Sequence, residues 1–336
     1  MSENVLTISD ENELFEALKN TLNDSIDFDG VKIEFDGWPV FKMRVVGQGY
    51  DATITPDLMK AFLELQAAVY RSYAMARYNT PKATKLSQYE RELLTIRIKV
   101  EPGSSMFGID FQEILENLGQ ELIGKMDTKT IVITVLGFAA LYFANTSYKN
   151  FLDSRVQTRV EELKQEERIE ELKHLRFAQE QETERAKIMA SVVTVEPRLK
   201  TISNFSDDAK TELFKRSGDA KTVEIQGVSI DGANATELMK NARKKSNEVH
   251  LSGLFRILSV DSSNQSAFKV KLRSVDSHEE FIAEAEDHTL DRKFLLAMQK
   301  GEWERTPIKL HVTAKELNGD IRKATITYAE YVTQEN

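Results

Sequence analysis

Residue types and spacings that could support chemistry are sparse in this 336-residue chain. It contains no cysteine, which removes thiol nucleophiles, disulfides, iron–sulfur clusters and cysteine-based zinc sites. Its histidines, His174, His250, His278, His288 and His311, are potential bases or metal ligands, but none has a recognised metal spacing. After His278-Glu279-Glu280 come Phe281 and Ile282, so the second histidine of a zinc-protease helix is missing. The stretch SIDFDGVKIEFD, residues 25 to 36, places Asp27, Asp29 and Gly30 at the third, fifth and sixth places of a calcium loop. Ser25 and Asp36 are wrong at its ends, and the alternation of Val31, Ile33 and Phe35 demands a strand where the loop should continue. Gly47-Gln48-Gly49 lacks the third glycine and lysine of a phosphate loop, and there is no G-x-S-x-G. The sequence thus assigns no catalytic residue, no metal ligand and no cofactor, and an enzyme built on carboxylates is the minor reading.

One dense basic cluster remains, Lys240, Arg243, Lys244 and Lys245, after a helix expected from Ala233. Such a patch suits nucleic-acid phosphates or anionic lipid headgroups. Basic residues also complement the negative end of a helix dipole, which is the plainer reading.

The elements that must position these groups follow from charge and periodicity. The net charge is −9, with 41% hydrophobic and 29% charged residues, which excludes a wholly disordered chain and a membrane protein of many spans. Residues 1 to 148 hold 14 Lys or Arg against 21 Asp or Glu, whereas 195 to 336 hold 22 against 23, so the acidity is concentrated at the front. Residues 1–109 read as a small α+β domain. Leu14, Phe15, Leu18 and Leu22 predict a helix over Glu11 to Leu22. Val31, Ile33 and Phe35, then Val40, Met43 and Val45, predict two strands joined as an antiparallel hairpin by Asp36-Gly37, with Pro39 marking an edge strand or a bulge at its start. Thr55-Pro56 opens a helix with a wide apolar face that ends before Asn79-Thr80-Pro81. Alternation over Leu93 to Val100 predicts a further strand, and residues 110–129 a connecting helix.

Thr130 to Tyr148, TIVITVLGFAALYFANTSY, is 19 residues without a formal charge. As one helix it would span about 28 Å, close to bilayer thickness. Thr130, Ile131, Leu136, Phe138, Leu141, Tyr142, Phe143 and Tyr148 are the candidate membrane-helix residues, with aromatic rings toward one end. The alternative is a helix buried in a soluble bundle, because threonines and Asn145 shorten the intense apolar core. The basic residues Lys149, Arg155, Arg159, Lys164 and Arg168 favour a cytoplasmic C-terminal side, yet Met1 to Asp10 is polar and carries no export signal for the first domain. A re-entrant or conditionally inserted helix avoids that conflict. Lys149 to Ala190 reads as one long charged helix, a stalk over 149–192 or a coiled coil, with a stutter after Leu163. The run Met126 to Arg159 with the preceding Lys125 resembles the central segment of uncharacterised bacterial proteins with one predicted membrane helix followed by a charged helix. That resemblance implies a bacterial, membrane-associated protein and brings no catalytic residue with it.

Residues 195–336 read as a β-rich domain, with strands at 222–230, 249–260, 267–275, 280–284, 308–313 and 323–332 and a helix at 290–300. The last five strands and the helix run β-β-β-α-β-β, the order of an OB-like barrel. Phe268, Phe281, Trp303, Tyr328 and Tyr331 are its candidate stacking rings. The expected function is a non-enzymatic, membrane-associated binding or effector protein at the bacterial inner membrane with its C-terminal domain cytoplasmic. The alternative is a cytoplasmic oligomer whose apolar helix is buried and whose barrel binds nucleic acid or protein.

Overall fold

A computed structural model describes residues 4–25, 31–101, 105–163, 166–175, 177, 180–242, 247–264, 267–276, 280–286, 291–317 and 320–331. The chain divides into two units, Met1–Ala242 and Arg243–Asn336. The expected boundary at 195 therefore moves to 242, because the residues after 197 complete the core and the sheet of the first unit.

The first unit contains β1 (Asn4–Ile8), α1 (Glu11–Leu22), β2 (Val31–Phe35), β3 (Val40–Val46), α2 (Pro56–Tyr78), α3 (Gln88–Leu93), β4 (Lys99–Glu101) and β5 (Ser105–Asp110). It continues through α4 (Gln112–Leu122), α5 (Thr128–Phe143), α6 (Asn145–Glu162), α7 (Glu166–Lys173), α8 (Glu180–Val195), α9 (Arg198–Lys215), β6 (Thr222–Ile225), β7 (Val228–Asp231) and α10 (Gly232–Leu238). α1 occupies its expected span, with the Asp10 carboxylate accepting from the amides of Asn12 and Glu13. α2 starts at Pro56 under a Thr55 cap and stops at Asn79, which adopts the left-handed conformation. β4, β5, β3, β6 and β7 form one antiparallel sheet in that order, while β1 and β2 pair in parallel.

The expected hairpin of β2 with β3 does not form: the two strands belong to different sheets. The amides a hairpin partner would use are taken elsewhere, Phe35 N by Glu116 Oε1 at 2.9 Å and Gly37 N by Gln112 Oε1 at 2.8 Å. Pro39 has no amide to offer. The strand expected from Leu93 to Val100 contracts to β4, because the Gln66 side chain bonds both Leu94 O and Ile96 N at 2.9 and 2.8 Å, in place of a neighbouring strand. The strand expected over 222–230 is instead the hairpin of β6 and β7, turned by Gln226 and Gly227 at φ 50° and 75°. α9, absent from the sequence reading, packs Leu199, Ile202, Phe205, Ala209 and Leu213 into the core.

The 19-residue apolar segment is not one helix. It breaks at Ala144, and α5 and α6 diverge by 59°. Among the described residues no single helix is long and apolar enough to cross a membrane, although this bent pair meets the length and composition required. Ile131 through Phe143 are buried against α1, α4, α8 and α9. The long charged helix also divides, into α6, α7 and α8, with α8 returning to pack on α6 and α1. Its first interruption falls at Leu163, where the apolar stutter lies. No continuous coiled coil is formed among the described residues.

The second unit contains β8 (Asn247–Asp261), β9 (Ala267–Ser274), β10 (Glu280–Glu286), α11 (Arg292–Trp303), β11 (Ile308–Leu317) and β12 (Asp320–Tyr331). These strands close a barrel in the order β10-β12-β11-β8-β9. All pairs are antiparallel except β10 with β12, which run parallel. The ring closes at the Glu284–Thr325 pair of β10 and β12, and Val270, Leu272, Leu310, Val312 and Ile326 fill the interior.

Candidate functional site

The structure distributes the expected site residues among three places. The candidate membrane-helix residues form the centre of the first unit. Thr130 lies in the first turn of α5, its amide and hydroxyl bonded to Asp127, while Ile131, Leu136, Phe138, Leu141, Tyr142 and Phe143 are buried. Tyr148 belongs to α6, and its hydroxyl donates to Tyr142 O at 3.1 Å. The Tyr142 hydroxyl lies 2.7 Å from Ser72 Oγ on α2. Burial pushes the Tyr142 and Tyr148 hydroxyls well above the usual phenol range, so they serve as neutral hydrogen-bonding groups.

The break itself is a polar junction. Breaking a buried helix leaves its last carbonyls and the next amides without partners. Here Leu141 O accepts from Ser147 Oγ at 2.9 Å and Ser206 Oγ at 2.8 Å, and Phe143 O accepts from Gln226 Nε2 at 2.6 Å. The amides of Asn145 and Thr146 donate to the Glu11 carboxylate, and Arg185 donates to the same carboxylate at 2.7 Å. A carboxylate at the N-terminal end of α6 also complements its dipole. On the other flank Lys210, 2% exposed, donates to Ser147 Oγ at 2.7 Å and lies over the Tyr148 ring. Burial pulls the Lys210 ammonium below the usual lysine range. A serine beside a buried lysine has the composition of a nucleophile and its base. Ser147, however, directs its proton to Leu141 O, so the pair closes the end of α5.

The basic cluster is described only at Lys240, whose ammonium bonds Glu237 Oε2 at 2.6 Å; Arg243, Lys244 and Lys245 lie outside the described residues. Glu237 also accepts from Arg159 Nε and Nη2 at 3.0 and 2.9 Å, so the exposed Lys240 is paired to a carboxylate it shares with Arg159. The calcium-loop residues Asp27, Asp29 and Gly30 and the histidines His278 and His288 also lie outside the described residues. Among the described residues no group of three or more His, Asp or Glu is placed to hold a metal ion.

The third place is the outer surface of the barrel. Along β9, Val270 and Leu272 point inward, while Lys269, Lys271 and Arg273 stand outward in one row. Arg256 on β8 pairs in register with Arg273 and is also exposed. On β10, Glu280 bonds Lys271 at 2.9 Å and Arg273 at 2.5 Å, and Ile282 is 58% exposed opposite Lys271. The Lys271 and Arg273 hydrogen bonds hold the Glu280 carboxyl below the usual range. The aromatic rings lie elsewhere. Phe281 is in the core, and Phe268 packs against it in part. Tyr328 rests on Phe294 and His311, Tyr331 lies under Lys300, and Trp303 is 80% exposed at the end of α11. The β9 row, which was not among the expected site residues, has a signal in the sequence: the alternation of Lys269, Lys271 and Arg273 with Val270 and Leu272.

Comparison of the chain with protein-family models, characterised proteins and solved structures gives no match.

Proposed function

We propose that the C-terminal barrel is an OB-type binding module and that its β9–β10 face takes single-stranded nucleic acid through the phosphate backbone. The observation carrying this reading is the outward row Lys269, Lys271 and Arg273, with Arg256 beside it, on the second strand of a five-stranded barrel whose helix follows the third strand. Because the aromatic rings are on other faces, base stacking contributes little and sequence preference is weak. Glu280 competes for two of the cations, which makes it a brake on affinity.

Fluorescence anisotropy of the full chain with twelve-nucleotide oligo-dT and oligo-U tests the reading. Three phosphate contacts on a single strand predict a log–log salt slope of about −2. Replacing Lys269, Lys271 and Arg273 together by Glu should abolish binding, and Glu280→Gln should strengthen it. Absence of binding at low salt, or unchanged affinity in the triple variant, overturns the proposal.

Membrane association is a second reading, favoured by the length and composition of the bent pair α5 and α6. Insertion would require α5 to leave its contacts with α1, α4, α8 and α9. Alkaline washing of a membrane fraction holding untagged protein separates the outcomes: retention supports insertion, and release removes it.

A further inference from the structure

We infer that the first unit carries a binding site for a small anion bearing a planar ring, in the cleft where the α5–α6 break meets the outer face of the β3–β6 pair. This site is independent of the barrel. The cleft has a volume of about 390 Å³ and is lined by Trp38, Lys42, Arg44, Glu224 and Gln226 together with Phe143 and Asn145 at the break. That volume falls within the roughly 300–1,000 Å³ typical of small-molecule sites.

Its walls are preorganised by Gln226, whose polar groups are all engaged. The Gln226 amide donates to Lys42 O at 2.9 Å, and its carbonyl accepts from Asn145 Nδ2 at 2.7 Å. The side chain accepts from Lys42 N at 2.7 Å and donates to Phe143 O at 2.6 Å. One residue thereby ties the sheet to the helix break and leaves no group of its own for a ligand. Glu11, also on the wall, is engaged by Arg185 and the start of α6.

The groups left for a ligand are the Lys42 and Arg44 cations, the Glu224 carboxylate and the Trp38 ring. Lys42, Arg44 and Glu224 have no ion-pair partner within 4 Å among the described residues. Lys42 and Arg44 alternate outward along β3, about 6.7 Å apart by strand geometry, and Arg44 stands in register with Glu224. Two cations against one carboxylate form a locally positive spot, within a unit holding 30 Lys or Arg against 39 Asp or Glu. A phosphate or carboxylate is the partner such a pair recognises, and an indole wall favours a flat ring beside it.

The test uses the full chain with Trp303→Phe, which leaves Trp38 as its sole tryptophan. Uridine 5′-monophosphate and benzoate are titrated separately, with inorganic phosphate and uridine as partial ligands. At least one ring-bearing anion should change Trp38 fluorescence saturably, and whichever binds more tightly distinguishes phosphate from carboxylate. The partial ligands should bind at least about tenfold more weakly, Lys42→Ala with Arg44→Ala should weaken binding by about tenfold or more, and Glu224→Gln should tighten it. The side chains of Lys42 and Arg44 are exposed, so the variant should keep its fold, which circular dichroism checks. No saturable response to either ring anion up to about 5 mM, the range of very weak binding, overturns the inference. So does unchanged affinity in the double variant, or uridine binding as tightly as its monophosphate.

Discussion

The α5-centred core and the C-terminal barrel bury their backbone polar groups in different ways. The barrel does so within one segment of the chain, residues 247–331: each strand pairs with neighbours on both sides, and the ring closes at the Glu284–Thr325 pair. α5 is apolar on every side and satisfies its interior bonds alone, but its break at Ala144 exposes carbonyls and amides inside the core. Those groups are satisfied by Glu11, Ser147, Ser206 and Gln226, residues scattered over more than 200 positions of the chain. A closed sheet is thus insulated from distant substitutions, whereas a broken buried helix depends on them. The same dependence brings unlike side chains together, and the cleft over β3 and β6 lies where the junction meets the sheet.

The two tryptophans allow this contrast to be broken, since Trp38 reports on the first unit and Trp303 on the second. The largest effect should come from Phe138→Ala, which leaves a cavity in α5 and should cost the first unit about 3–5 kcal/mol in denaturant unfolding. The Trp303 transition should stay in place; a shift of equal size would refute the local-closure account of the barrel. Glu11→Ala, which leaves the α6 amides and Arg185 without their carboxylate, should cost about 1.5–3 kcal/mol on the Trp38 transition. An unchanged Trp38 midpoint would show that the junction is not needed for stability.

Gly301→Ala makes the converse test in the barrel. A Cβ at Gly301 would collide with Ile308 Cγ2, so α11 or the Ile308 side chain must shift. The expected loss is about 1–3 kcal/mol on the Trp303 transition, and no loss would mean that α11 or Ile308 shifts freely.

The smallest effect is a pH dependence confined to the first unit. Burial alone would raise the Glu90 carboxyl, but hydrogen bonds from Tyr78 and Ser87 and the charge of Arg77 outweigh it and hold the group below its ordinary value of 4.5. Arg77 Nε lies 3.1 Å from Glu90 Oε1, out of line for a hydrogen bond, so its part is chiefly ionic. With a lowered folded-state value, the stabilisation is fully present above pH 4.5 and is lost as pH falls through the folded-state value. Glu90→Gln should flatten the acid limb of the Trp38 transition and leave that of Trp303 unaltered. An acid limb as steep as in the parent protein would remove Glu90 from the account.

Local pattern by itself determined much of this protein. The helical spacing of Leu14, Phe15 and Leu18 with Asp10 before it, the Thr55-Pro56 start of α2, and the alternation that marks the barrel strands all depend on neighbouring residues alone. The alternation of β9 also carries the cation row. Leu199, Ile202, Phe205, Ala209 and Leu213 carried the helical period of α9 as well, although the charged residues between them obscured it. Tertiary structure decided whatever rests on partners distant in sequence. β2 and β3 part because Glu116 and Gln112 claim the hairpin amides, and the segment 94–98 remains outside a sheet because Gln66 stands in for a strand. The apolar run from Thr130 to Tyr148 is the clearest case. Its composition satisfies a bilayer and a protein core equally, because both reward apolar surface. Only the core offers the hydrogen-bonding side chains that stabilise a bend at Ala144, and the Glu11 and Gln226 side chains reach its neighbours Asn145 and Phe143 from 134 and 83 residues away.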